Sequence, residues 1–122
     1  MVTWQFTWRA YCVRVIDGDT LDLTLDKGFR ETAIERIRLA GINCPERHTT
    51  TREAGDAAKA YTEAWITQAG LEQWPLVVTT YKTDSFDRYV AVVVRTGDPV
   101  SLNDALLASG NAIPFMVDKV QT

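Results

Sequence analysis

Histidine and cysteine are scarce in this chain: His48 stands alone, and Cys12 and Cys44 are the only 2 cysteines among 122 residues. A histidine-rich metal centre is thereby excluded, and a Ser-His-Asp triad would have to be built around one loop residue. Two cysteines are too few for a disulfide-stapled scaffold, so free thiols in a reducing compartment are expected, with no disulfide-linked partner. Long apolar runs are missing as well; none approaches the ~20 residues that cross a bilayer. The N-terminal stretch alternates polar and apolar residues and has no apolar block behind a basic start, so a strand is expected there and not a signal peptide. A cytoplasmic protein without membrane contact is the corresponding expectation. Basic excess is also lacking: 13 Lys+Arg against 16 Asp+Glu give a net charge of −3, which argues against gripping nucleic acid by bulk electrostatics. What is present, 46% hydrophobic and 24% charged residues in this length, fits one globular domain over 1–122.

Hydrophobic parity supplies the elements. Trp4, Phe6, Trp8, Ala10 and Cys12 share one parity, and the run continues through Ile16 as one long, bent strand whose aromatics are expected in the core or under a covered edge, with a base-stacking platform as the lesser alternative. Asp17-Gly18-Asp19-Thr20 interrupts it with turn chemistry. Leu21, Leu23 and Leu25 then alternate with polar residues, and Asp26-Lys27-Gly28 signals a hairpin. A third strand is expected over Glu31 to Ile42, with Ile37 and Leu39 on one face and Arg36 and Arg38 on the other. Thr50-Thr51-Arg52-Glu53 has the form of a capping box for a helix that Gly70 stops. Strands over Leu76–Tyr81 and Tyr89–Arg95 follow, and Ser101-Leu102-Asn103-Asp104 opens a short helix closed by Gly110. Five strands with helices in this order predict a mainly β, α+β domain: a five-stranded OB-type Greek-key barrel with two or three helices packed on it.

Three residues sit oddly in that frame. Asp19 shares the parity of Leu21, so its carboxylate faces the apolar side and needs a partner; a turn aspartate bonding local amides is the plainer alternative. Arg88 opens the last strand, where a guanidinium wants an anion, whether a ligand or Asp84 or Asp87. Arg38 is either part of a solvated strand face or aimed at the nearby Asn43-Cys44-Pro45-Glu46. Together, Asp19, Asn43 and Glu46 are oxygen donors at strand ends, the ligand type of a hard cation such as Ca²⁺ or Mg²⁺. The arginines suit bidentate contact with a phosphate. Hard metal, arginines and a carboxylate describe phosphodiester hydrolysis.

The run Val15 to Thr20, followed by Arg38-Leu39-Ala40-Gly41-Ile42-Asn43-Cys44-Pro45-Glu46, resembles the staphylococcal nuclease (thermonuclease) family. Asp84-Ser85-Phe86-Asp87-Arg88-Tyr89 is similar to its third motif, and Leu102 through Ala112 resembles its helix after the last strand. The resemblance is ordered from about Val13 to Ala112. It implies an OB-type barrel that hydrolyses DNA and RNA with Ca²⁺, leaving 3′-phosphate and 5′-hydroxyl ends. Residue by residue it implies Asp19 as a Ca²⁺ ligand, Asn43 through its side-chain oxygen where the family usually has Asp, and Cys44 through its backbone carbonyl. Glu46 becomes the general base or water-positioning carboxylate, and Arg38 and Arg88 bind and neutralise the scissile phosphate.

The departures carry expectations of their own. Asn43 removes a negative charge from the metal site, which predicts weaker Ca²⁺ binding. Ser85 and Phe86 occupy substrate-binding positions where Lys-Tyr is common, and Phe86 offers a stacking face worth ~1–3 kcal/mol. The tyrosines expected around Phe115 and Met116 are absent. His48 is expected in solvent. Cys44 lies beside the site with nothing in the sequence to lower its pKa. The alternative to an active nuclease is a catalytically silent OB module that binds nucleic acid or protein, which Asn43 and the acidic balance favour.

Overall fold

Alternating parity builds the first three strands into an antiparallel meander. In the computed structural model, which describes residues 5–46, 50–82 and 89–115, these are β1 (Gln5–Asp17), β2 (Thr20–Gly28) and β3 (Glu31–Leu39). β1 serves two neighbours. Residues Gln5 to Ala10 pair with β5 (Leu76–Lys82), and Ala10 to Asp17 pair with β2. Register shifts at Cys12/Arg14 and Val15/Asp17 mark the bulges that bend one strand between the two partners. β6 (Tyr89–Arg95) pairs antiparallel with β5 and parallel with β3 through Arg38↔Val90 and Leu39↔Ala91. The result is a closed barrel ordered β1-β2-β3-β6-β5, the OB-type arrangement.

Inward parity carries the core. Leu21, Leu23, Ile37, Leu39, Leu76, Val78 and Val93 are all buried inside it, each large aliphatic side chain stabilising by roughly 1.5–3 kcal/mol. Helix α1 (Arg52–Thr67) buries Gly55, Ala58, Thr62 and Trp65, and α2 (Leu102–Ala108) buries Leu102, Asn103 and Leu106. Ala54, Ala57 and Ala64 lie on the exposed side of α1.

Several expectations are corrected. The β2–β3 hairpin exists, but its tip is Phe29-Arg30 with φ of 54° and 65°, beyond Asp26-Lys27-Gly28. Asp26 instead accepts the Gly28 N–H and ends the regular pairing. The third strand stops at Leu39, not Ile42: Ala40-Gly41 turns away, with Gly41 at φ 77°, a value that favours glycine. Ile42 and Asn43 form a separate strand, β4 (Ile42–Asn43), paired with β7 (Ile113–Pro114), which sequence reading missed. The N-cap of α1 is Thr51, and its hydroxyl donates to the Glu46 carbonyl, so no capping box forms. Ser101 does cap α2, accepting the Asp104 N–H at 3.0 Å. Finally, Phe6 is 52% exposed and Trp8 is half-buried; they rim the barrel and do not fill it.

Candidate active site

The site begins at a turn that only glycine fits. Asp17 pairs with Thr20 across the two-residue link Gly18-Asp19. A Cβ on Gly18 would stand 2.8 Å from the Ala58 Cβ and 2.9 Å from the Cys44 Sγ. Thr62 of α1 donates its hydroxyl to the Gly18 carbonyl at 2.7 Å, clamping the turn from below. Asp19 is thereby held on the inward side, 6% exposed, as its parity predicts. Its partners are specific: Oδ2 accepts the Cys44 N–H at 2.9 Å and Oδ1 accepts the Thr20 hydroxyl at 3.2 Å. The Arg38 guanidinium lies 3.8 Å from Oδ2, and its charge compensates the buried carboxylate.

Arg36 and Arg38 share a strand face and part company in their contacts. Arg36 is bound in a two-point pair to Asp22 on the outer barrel, at 2.8 and 3.1 Å. Arg38 turns into the cleft, where Nη2 donates to Asn43 Oδ1 at 2.7 Å and to the Ile42 carbonyl at 3.5 Å. Its guanidinium carbon is 5.6 Å from the centroid of the Phe115 ring, within cation–π range. Phe115 arrives there because its N–H donates to the Gly41 carbonyl at 2.9 Å, extending the β4–β7 pairing. The sequence marks Phe115 only as a place where a tyrosine is expected and absent; its position beside Arg38 has no local signal.

Asp17, Asp19, Arg38, Asn43, Cys44 and Glu46 line one cleft of about 330 Å³. Asp17 is a residue that sequence reading passed over, although it stands two positions before Asp19. A smaller hollow of about 150 Å³, bounded by Asn43, Cys44, Pro45 and Asn111, adjoins the cleft. Glu46 is exposed, and the Thr51 bond to its carbonyl ties it to the start of α1. The Cys44 thiol is pushed up to about 12 by burial and by the Asp19 charge, which rules out a thiolate nucleophile at neutral pH. Arg88, Ser85, Phe86, His48 and Met116 lie outside the described residues.

The donor chemistry fits a hard cation. Every candidate ligand in the cleft is an oxygen, and three carboxylates face one guanidinium. Asp19 and Asn43 each use lone pairs on protein donors, and oxygen acceptors of this kind keep further lone pairs for a second partner. Among the described residues no three His, Cys, Asp or Glu side chains converge tightly enough to enclose a metal by themselves. A cation held here would need donors beyond these carboxylates.

Comparison with known proteins identifies a family. The family model described as staphylococcal nuclease homologue matches residues 36–122, a span that includes Arg38, Asn43, Cys44 and Glu46. Asp17 and Asp19 precede the matched span and are brought to it by the fold. No curated protein matches the chain.

Proposed function

The chain belongs to the staphylococcal nuclease homologues, and from that premise we propose that it is a Ca²⁺-dependent endonuclease cutting phosphodiester bonds of DNA and RNA to 3′-phosphate and 5′-hydroxyl ends. One observation carries the reading: residues from three separate stretches, Asp19, Arg38 and the Asn43–Glu46 turn, converge on a single acidic cleft. In it Asp19, the Asn43 side-chain oxygen and the Cys44 backbone carbonyl would hold the cation, which would supply positive charge against the phosphate and favour ionisation of the attacking water. Glu46 accepts the proton from the attacking water as its oxygen bonds to phosphorus. The bond from phosphorus to the 5′ oxygen breaks, and a proton passes to that leaving oxygen. Arg38, and Arg88 by the family pattern, neutralise the charge that grows on the phosphoryl oxygens. By the family pattern Ser85 and Phe86 would contact the neighbouring nucleotide.

Arg38 is held before substrate arrives. Its contacts with Asn43, the Ile42 carbonyl and Asp19 all run through Nη2, and the fork geometry of a guanidinium offers further N–H groups to an anion. The bond from Arg38 to Asn43 is neutral at the acceptor, so less charge is withdrawn from the arginine than an aspartate there would withdraw. The cost falls on the metal, which loses one formal charge from its ligands.

Cleavage of single-stranded DNA by the purified protein is expected to require Ca²⁺, to stop with chelator and to fall at least ~100-fold in Glu46→Gln. Full activity in that variant removes Glu46 from its role. Calorimetric titration of Ca²⁺ into wild type and Asn43→Asp is expected to show several-fold tighter binding to the variant. The second reading, a silent OB module, is favoured by Asn43 and the acidic balance; intact folding with no cleavage at any Ca²⁺ concentration would support it over the enzyme.

A further inference from the structure

The end of the barrel remote from Asp19 is a second hollow, of about 280 Å³. All five barrel strands contribute inward-parity residues to it: Phe6 and Trp8 from β1, Lys27 from β2, Glu35 from β3, Thr80 from β5 and Tyr89 from β6. Its floor is apolar, formed by the buried Leu25 and Ile37. Its walls are aromatic and reachable from solvent, with Phe6 52% and Tyr89 38% exposed. The Trp8 ring is fixed in plane, since its indole N–H donates to the Thr80 hydroxyl at 3.0 Å. Phe6 leans against it at 5.7 Å between centroids, and the Lys27 ammonium sits 5.4 Å from the Trp8 centroid.

We propose that this mouth is a distal subsite for one base of a single-stranded nucleic acid whose scissile phosphate lies in the Asp19 cleft; the proposal rests on the nuclease reading for the identity of the strand. Aromatic faces beside a cation are the elements with which proteins hold single strands without sequence preference. Lys27 meets a backbone phosphate, and Glu35 accepts from a base N–H. A purely aliphatic ligand would leave that ammonium and carboxylate facing hydrocarbon. A second protein copy is a poorer fit, because one hollow of this size takes a ring system, whereas stable partners bury roughly 800 Å² each.

Strand β3 links the two sites, since Ile37 of the floor is followed in the chain by Arg38 of the cleft. Along β2, Leu25 lies six residues beyond Asp19, or about 20 Å at the rise of a strand. A dinucleotide cannot reach both sites, and an oligonucleotide of several residues can.

The test uses the full chain with thymidine oligonucleotides of two and eight residues. In chelator, the Trp8 indole N–H resonance, identified by its loss in Trp8→Phe, is expected to shift with the octamer and stay in place with the dimer. With Ca²⁺, Phe6→Ala and Lys27→Glu are expected to raise KM for the octamer about tenfold, with kcat and dimer cleavage unchanged. An octamer that shifts the Phe115 amide and leaves Trp8 unmoved overturns the subsite while the cleft reading stands. A Trp8 shift without cleavage at any Ca²⁺ concentration supports the subsite and overturns the nuclease reading. A Trp8 shift that follows protein concentration alone assigns the mouth to a second copy and overturns the subsite.

Discussion

At Gly18 a single methyl group decides whether the Asp19 turn can seat. Its Cβ would fall under 3.0 Å from both Ala58 and Cys44, and Ala58 belongs to a helix that Thr62 already ties to the same turn. Gly18→Ala is therefore expected to destabilise the protein by about 1–3 kcal/mol, read from urea melts, with Ala58→Gly recovering part of the loss. A wild-type midpoint in Gly18→Ala would contradict the packing. Asp19 was legible as an inward carboxylate because parity with Leu21, Leu23 and Leu25 is a local property. Its partner was not legible: the Cys44 N–H that satisfies it lies 25 residues away and arrives only through the Ala40-Gly41 turn. Phe115 is a longer case of the same limit, since its place over Arg38 depends on β4 meeting β7.

At the level of elements, two features outweigh their length. The hairpin tip places Phe29 and Arg30 in the left-handed region, where a non-glycine residue costs roughly 1–2 kcal/mol, and Phe29 is 94% exposed. The pair Phe29→Asn with Arg30→Gly, the preferred residues of such a turn, is expected to stabilise the protein by about 1–2 kcal/mol. A melting temperature that does not rise would contradict that tip geometry. The second feature is Asn103, buried in the first turn of α2. Its amide donates to the Ala40 and Ala91 carbonyls at 2.9 and 3.0 Å and accepts the Val93 N–H at 3.2 Å. Those bonds lock the point where β3 leaves β6 and swings toward Asn43. Asn103→Ala is expected to cost about 2–4 kcal/mol, since buried groups lose their partners, and to weaken Ca²⁺ binding as well. Unchanged Ca²⁺ affinity in a destabilised variant would separate the lock from the site. The capping pattern around Ser101 was readable because it is local, whereas the role of Asn103 depends on α2 meeting both β6 and the turn after β3.

For the whole molecule, charge and protonation set the working range. Asp22, Asp26 and Asp98 are held below their ordinary value near 3.8 by hydrogen bonds: from Arg36 to Asp22, from the Gly28 N–H and then Arg9 to Asp26, and from the Val100 N–H and then Arg95 to Asp98. A depressed folded value means that these groups stabilise above the unfolded value and lose that contribution as pH falls through the folded one. Cys44 has the opposite sign: raised from 9.0 to about 12, it favours the fold below pH 9 and loses that effect as pH climbs toward 12. Melting temperature is thus expected to be level from pH 5 to 8, to drop below pH ~4 and to drop again above ~9, with Cys44→Ala shallower on the alkaline side. An alkaline limb identical in that variant would assign the loss to other groups. Ca²⁺ at a hundred times its dissociation constant is expected to add about 2.7 kcal/mol, an increment that Asp19→Ala removes.

The net charge of −3 belongs to the same scale. Part of it is concentrated in Asp17, Asp19 and Glu46 around one cleft, where a cation would reverse the local sign and admit a phosphate. Strand parity, the five barrel strands, both helices and the inward carboxylate were determined by the sequence alone, because period and turn chemistry act over a few residues. Tertiary structure decided the rest. It separated Arg38 from Arg36, spent the Thr51 hydroxyl on Glu46, set Phe115 over the arginine and turned Phe6 and Trp8 from expected core into the rim of a second hollow. Each of those outcomes depends on chain segments meeting from far apart, and the pairing of distant strands cannot be read from the neighbours of a residue.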